Sequence, residues 1–170
     1  MISSNSRLVL DSTVIIALST LKQVELLRWR VLIPEKVVAE LMSEPARNTL
    51  AYLLREGKAE VTKPIEEMCK KALSILGDKE ETGDSDVIAT ILELKDVVIA
   101  TDDRRLRNVC KNFGAKVTGT IGIIIDAVRH GTLTEEEGKE LLKKLDSSGF
   151  RMNVTLYEKA LALMRDFSQI

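Results

Sequence analysis

The chain has 170 residues, of which 25 are basic and 26 acidic, with a formal net charge of −1 and 45% apolar residues. These values describe one globular domain with room for a short extension. They exclude a basic protein that merely coats nucleic acid, and a membrane-spanning chain, because no apolar run approaches the ~20 residues a bilayer requires. Near-neutrality leaves room for a nucleic-acid enzyme, because a dense group of carboxylates masks basic tracts elsewhere. Only 4% of residues are aromatic, so the core must be aliphatic. Cys69 and Cys110 stand in no metal-binding or redox spacing and read as buried thiols. The polar start, 1–7, reads as no signal peptide, so a cytoplasmic location is expected.

Residues 7–10 read as a short strand leading straight into Asp11. A helix is expected over 13–21 and another over 23–29, then a buried strand at 31–33 stopped by Pro34. Proline suits the first turn of a helix, and helical spacing continues over 35–42. A further helix over 45–56 ends at Gly57, a strand follows at 59–62, then a helix over 65–76 and a polar loop over 77–83. Residues 84–95 show helix periodicity, and 97–100 is a fully apolar strand. A basic helix over 103–112 closes at Gly114 and precedes a fifth strand at 116–118. Strands alternating with helices argue for a three-layer α/β/α domain around a parallel sheet. From Thr120 onward only helices are expected: 121–129, then one opened by a Thr134/Glu137 capping box and running to about 147, then 155–167 with Leu156, Ala160, Leu163 and Phe167 at helical spacing. The expected organisation is a domain over 1–118 and a C-terminal helical extension over 119–170, packed on that domain or on a second copy.

In an open α/β sheet, ligands bind beyond the carboxyl ends of the strands. Asp11 follows the first strand, and Asp102 and Asp103 follow the strand at 97–100. Asp84 lies three, four and seven residues before Val87, Ile88 and Ile91, which puts it at the head of the stripe expected to face the sheet. A carboxylate there is costly without a partner. Asp86 is ~200° further round the helix, where favourable interaction with the helix dipole accounts for it. Glu40 borders the apolar face formed by Val37, Val38 and Leu41. Singly, each acid has an ordinary explanation as a cap, a first-turn acid or a boundary residue. Together they do not, because two carboxylates ~5 Å apart repel by roughly 3 kcal/mol at an effective dielectric of 20. Four converging acids therefore call for cations or protons. Oxygen donors without His or Cys point to Mg²⁺ or Mn²⁺, and His130, the only histidine, lies far along the tail. The chemistry suited to such a site is phosphodiester hydrolysis by metal-activated water.

The segments LVLDST (8–13), VVAEL (37–41), GDSDVIA (83–89) and TDDRRLR (101–107) resemble, in order and spacing, the four acidic motifs of the PIN-domain family. VTGTIGIIIDAVRHG (117–131) and SSGFRMN (147–153) resemble a PIN branch with a helical C-terminal extension, related to VapC-like toxins. The resemblance implies a flavodoxin-like parallel sheet, an Mg²⁺/Mn²⁺-dependent endoribonuclease, frequent homodimers and, for a toxin, an antitoxin partner. By position, Asp11, Glu40, Asp84 and Asp102 match the four acids, with Asp11, Asp84 and Asp102 as metal ligands. Asp86 and Asp103 are neighbours able to take or share these roles, and Asp84 rather than Asp86 is expected to face the pocket. Ser12 and Thr13 match a hydroxyl position beside the first acid. Arg104, Arg105 and Arg107, with Lys111, can contact RNA phosphates, although a charge run more often marks a solvated face. Trp29 can stack a base, but a core or interface position is the ordinary expectation. The rival reading is a PIN-like binding or assembly module without catalysis, whose signature is loss of acids; this chain keeps all four.

Overall fold

The computed structural model describes residues 2, 3 and 5–165. Strand β1 (Arg7–Leu10) leads through Asp11 into α1 (Ser12–Leu21), which ends where Lys22 takes the left-handed conformation (φ 56°). The helix expected over 23–29 is absent; only a single 3-10 turn, Val24–Leu26, forms there. Leu27 is already extended (ψ 96°), because β2 (Arg30–Pro34) begins three residues on and must enter the sheet with Arg30 opposite Arg7. Helix α2 (Glu35–Glu40) stops two residues short of expectation and is followed by α3 (Glu44–Arg55), β3 (Ala59–Thr62) and α4 (Glu66–Leu76). Then come α5 (Gly83–Glu93), β4 (Val97–Ala100), α6 (Arg104–Asn112) and β5 (Lys116–Thr118). The tail is α7 (Thr120–Arg129), α8 (Glu135–Ser147) and α9 (Val154–Arg165). Phe167, expected on the last helix, lies outside the described residues.

The five strands are all parallel, in the order β3-β2-β1-β4-β5. Leu8, Val9 and Leu10 of β1 and all of β4 are buried, a continuous apolar pattern that requires helices on both faces. α1 packs with α3, α7 and α8, whereas α5 packs with α2, α4 and α6 and lies against β1 and β2. This is the three-layer α/β/α arrangement with a helical extension. The strand order is 3-2-1-4-5, where flavodoxin has 2-1-3-4-5; the two share a point at which successive strands change direction across the sheet. Here that point falls between β1 and β4.

Local sequence fixes several helix starts. Thr134 Nα donates to Glu137 Oε2 (2.7 Å) while Glu137 Nα donates to Thr134 Oγ1 (3.2 Å), the reciprocal capping box of α8. Thr82 and Ser85 make the same box at α5. The core is aliphatic. Trp29 belongs to it at 3% exposure, its indole Nε1 without a hydrogen-bond partner among the described residues, so it offers no surface to a base. Both cysteines are buried, and burial pushes the Cys110 thiol up to about 12. No described helix is long and apolar enough to cross a membrane.

The tail shares the core of the sheet: Ile123, Ile124, Leu142 and Met164 are fully buried in the same cluster as Leu8 and Ile33. A polar clasp ties α7 to the link between α1 and β2. Arg28 Nε donates to Asp126 Oδ2 (2.8 Å), and a terminal nitrogen of Arg28 lies 2.9 Å from His130 Nε2. His130 Nδ1 lies 2.8 Å from the Asp126 carbonyl oxygen, and the guanidinium sits 4.9 Å above the Trp29 ring.

Candidate active site

Adjacent parallel strands β1 and β4 bring their carboxyl ends together, and Asp11 Nα donates to Ala100 O (3.0 Å). Asp11 is 2% exposed, and its Oδ2 accepts from two threonine hydroxyls, Thr13 Oγ1 (2.6 Å) and Thr101 Oγ1 (2.7 Å). Each hydroxyl also accepts a backbone amide from the turn after β4. Asp102 Nα donates to Thr13 Oγ1 (3.0 Å), and Asp103 Nα donates to Thr101 Oγ1 (3.1 Å). The two threonines thus stitch the β4 turn to Asp11 and orient its carboxylate. Thr13 was expected beside the first acid. Fully buried Thr101 was not singled out from the sequence, and its only signal there is a hydroxyl directly before two aspartates.

Glu40 ends α2 and accepts from Ser12 Oγ (2.9 Å) and from Gly83 Nα (2.7 Å), the first amide of α5. Glycine at 83 lets the Glu40 carboxylate come this close, since a Cβ there would lie 2.6 Å from its oxygens and displace it. The opposite end of α2 is held by α5 in return. Pro34 at its N-cap has no side-chain acceptor, and Asp86 supplies one: Lys36 Nα donates to Asp86 Oδ2 (3.0 Å). The two helices cap each other, each using an acid that satisfies an otherwise orphaned amide.

Asp84 and Asp86 are therefore distinguished by burial and not by a covered and an open face of α5. α5 is enclosed by its neighbours, and every residue from Ser85 to Thr90 is buried, so it has no open side under Asp86. Asp86 is 3% exposed and belongs to the α2 contact, whereas Asp84 is half-buried at the helix tip. Burial, then the charges of Asp11, Asp103 and Glu40, push the Asp84 carboxyl up to about 6. Asp84 thus lies within electrostatic reach of the acidic edge because of its place at the tip. Among the described residues its side chain has no hydrogen bond or ion pair.

Asp102 and Asp103 diverge. Asp102 turns toward α7, accepting from Thr120 Nα (2.9 Å) on Oδ1 and from Thr120 Oγ1 (2.5 Å) on Oδ2. Burial raises its pKa, and the Thr120 bonds oppose that shift. A Cβ at Gly119 would fall 2.5 Å from Asp102 Oδ1 and would push that carboxylate from its place. Asp103 caps α6 through Oδ1, which accepts from Leu106 Nα (2.7 Å), and its charge is one of those that raise Asp84.

The basic helix is mostly occupied with structure. Arg107 donates to Thr101 O (2.8 Å) and Thr118 O (2.7 Å), closing the ends of β4 and β5. Arg105 donates to Asp78 Oδ1 and to Leu76 O, both at 2.8 Å, while its charge still reaches Asp84. Arg104 is exposed and, among the described residues, makes no hydrogen bond or ion pair.

The donor set around Asp11 is carboxylate and hydroxyl oxygen, which suits a hard divalent cation, and the unpartnered Asp84 is the kind of buried charge such a cation would neutralise. The set is open. Among the described residues, no group of three or more His, Cys, Asp or Glu side chains is positioned to hold a metal ion, so the acids as placed do not form a finished metal site.

A protein-family model described as a PIN domain matches residues 7–166, which includes all of these acids and nearly the whole helical tail. Comparison with curated proteins gives no match.

Proposed function

The chain belongs to the PIN-domain family, whose members are typically metal-dependent nucleases, and on that footing we propose that it is an Mg²⁺- or Mn²⁺-dependent endoribonuclease acting at the carboxyl edge of β1 and β4. One observation carries the reading: a half-buried Asp84 without a hydrogen bond or ion pair among the described residues, set among the charges of Asp11, Asp103 and Glu40.

Asp11, Asp84 and Asp103 are the residues we assign to hold the cation. Asp102 and Glu40 flank them. We give Asp103 the ligand place expected of Asp102, because both Asp102 oxygens accept from Thr120, whereas among the described residues only Oδ1 of Asp103 accepts a bond. A divalent cation bound there supplies an activated water and neutralises charge in an in-line displacement at phosphorus. Thr13 and Thr101 hold Asp11 so that Oδ1 is left to the site, since both of their bonds go to Oδ2. Ser12 and Gly83 fix Glu40 at its margin. Arg104, at the start of the basic helix, is left to meet a phosphate, and Arg105 and Arg107 act through Asp78 and the strand ends. We assign Asp86 to the cap of α2 rather than to the cation, since its Oδ2 accepts from Lys36 Nα.

We further assign the protein to the cytoplasm, as a homodimer and as the toxin of a toxin–antitoxin pair. Exposed Val154 and Leu156 on α9 favour a second copy or a protein partner there. The test of the catalytic reading is cleavage of a panel of single-stranded and structured RNAs with Mn²⁺ and with EDTA. Metal-dependent cleavage supports it, and intact RNA in every condition returns the chain to the binding-module reading. Sedimentation showing only monomer at tens of micromolar, roughly where a weak dimer still forms, counts against the dimer.

A further inference from the structure

A groove runs from the acidic edge to the helical tail. It is lined by Asp102, Asp103 and Thr13 of the acidic edge, by Ala17 and Thr20 of α1, and by Phe150 and Arg151 in the link between α8 and α9. We propose that this groove is the track for one flank of a single-stranded RNA, with Phe150 stacking a base and Arg151 meeting a phosphate. The proposal rests on the nuclease reading above and adds to it two residues that bind the strand beyond the cut.

Three features of the groove carry the assignment. It is continuous with the acids, so a strand lying in it passes Asp103. It places an aromatic side chain beside the acidic edge in a chain with only 4% aromatics, and Phe150 is partly exposed there while Trp29 is sealed in the core. Arg151 is exposed and, among the described residues, has neither a hydrogen bond nor an ion pair, in contrast with Arg105 and Arg107. An aromatic ring beside an unpaired guanidinium recognises an unstacked base and its backbone, a pairing that tolerates any base but excludes one held in a duplex. The groove also gives the tail a role: α8 brings the 150–151 link to the site by packing on α1.

The probe is 5′-fluorescein-labelled octauridylate, its binding followed by fluorescence anisotropy in EDTA and in Ca²⁺ across a salt series. The variants are Arg151→Glu, Phe150→Leu, which keeps an apolar side chain against the core, and Lys95→Glu, which makes the same charge change at the amino edge of β4. Arg151→Glu is expected to weaken binding by about tenfold or more and to lower the salt slope by about one. Phe150→Leu is expected to weaken it by about fivefold or more. Lys95→Glu should bind as the wild type does. Equal affinity for all four proteins, or no binding by the wild type, overturns the groove. Cleavage is scored separately: hydrolysis of bis(p-nitrophenyl) phosphate by the wild type in Mn²⁺ reports the acids without any flank. Hydrolysis together with unaffected anisotropy leaves the nuclease and removes the groove. Weakened anisotropy without hydrolysis of either substrate leaves the groove and removes the nuclease.

Discussion

Two polar clusters sit at opposite ends of the helix α1 neighbourhood, and they are built in contrary ways. In the clasp of the tail, Asp126 is 5% exposed but meets Arg28 at 2.8 Å and has His130 Nδ1 3.3 Å from the same oxygen. Its charge is matched by cationic and hydrogen-bonding groups of this same chain. At the acidic edge, Asp11, Glu40, Asp84, Asp102 and Asp103 gather with no ion pair to any of them among the described residues. Hydroxyls and amides orient four of them, and Asp84 has not even that. A buried acid that is paired serves the fold, whereas acids gathered without ion pairs, one buried and three partly so, call for a cation from outside.

The largest effect that sharpens this contrast is expected at Asp11. Asp11→Asn should lower RNA cleavage on the order of 100-fold or more, as a several-kcal/mol charge contribution is removed. Its stability in EDTA should stay level or rise, because the amide carbonyl can replace Oδ2 as acceptor for Thr13 and Thr101. Asp11→Ala, which leaves both hydroxyls without that acceptor, should lose about 1–3 kcal/mol in the same thermal melts. A cleaving Asn variant, or one that unfolds readily in EDTA, would break the comparison at its acidic side.

Asp103→Asn comes next, with cleavage down by about tenfold or more; asparagine is as good an N-cap as aspartate, so α6 should survive. Asp102→Asn should cost less activity, and the reverse order of the two variants in a single-turnover assay would restore Asp102 as the ligand.

In the clasp, Asp126→Ala should lose roughly 2 kcal/mol in denaturant titration, less than a fully buried pair because the Arg28 side chain is 27% exposed. Cleavage per folded molecule should not change. A cleavage loss without a stability loss would mean that the clasp belongs to the site.

The smallest effect is at Asp84. Its folded carboxyl titrates near 6, above the usual 3.8, so the folded state binds the proton more tightly than the unfolded state does. Stability from this group is therefore full below pH 3.8 and lost as pH rises through about 6. In EDTA, Asp84→Asn should stabilise the protein at pH 7 by about 1 kcal/mol, discounted for the partial exposure of Asp84. It should also flatten the wild type's change in melting temperature between pH 5 and 7. An unchanged pH profile would show that Asp84 does not feel the other acids.

Much of this was legible in the residues, because strands buried on both faces leave unbroken apolar runs, as at 97–100, and helix starts are written in short-range pairs such as Thr134 with Glu137. The helix expected over 23–29 failed for a long-range reason: the register of Arg30 with Arg7 uses up the chain. Asp84 and Asp86 show the same limit on a finer scale. Helical periodicity assumes one covered face and one open face, and α5 is covered nearly all round, so periodicity could not say which acid is free.

The sequence by itself determined the parallel α/β layering, the position of acids at strand ends and the presence of a helical tail, since all three follow from period, polarity and local capping. Only the tertiary structure decided that Thr13 and Thr101 orient Asp11, that Asp86 and Glu40 cap each other's helices, that Asp102 turns to Thr120 while Asp103 lies toward Asp84, and that Arg105 and Arg107 are bound to other groups. These assignments depend on which amide, hydroxyl or carbonyl lies within hydrogen-bonding reach. Their partners are as much as 90 residues away along the chain, and only the packing of the layers brings them there.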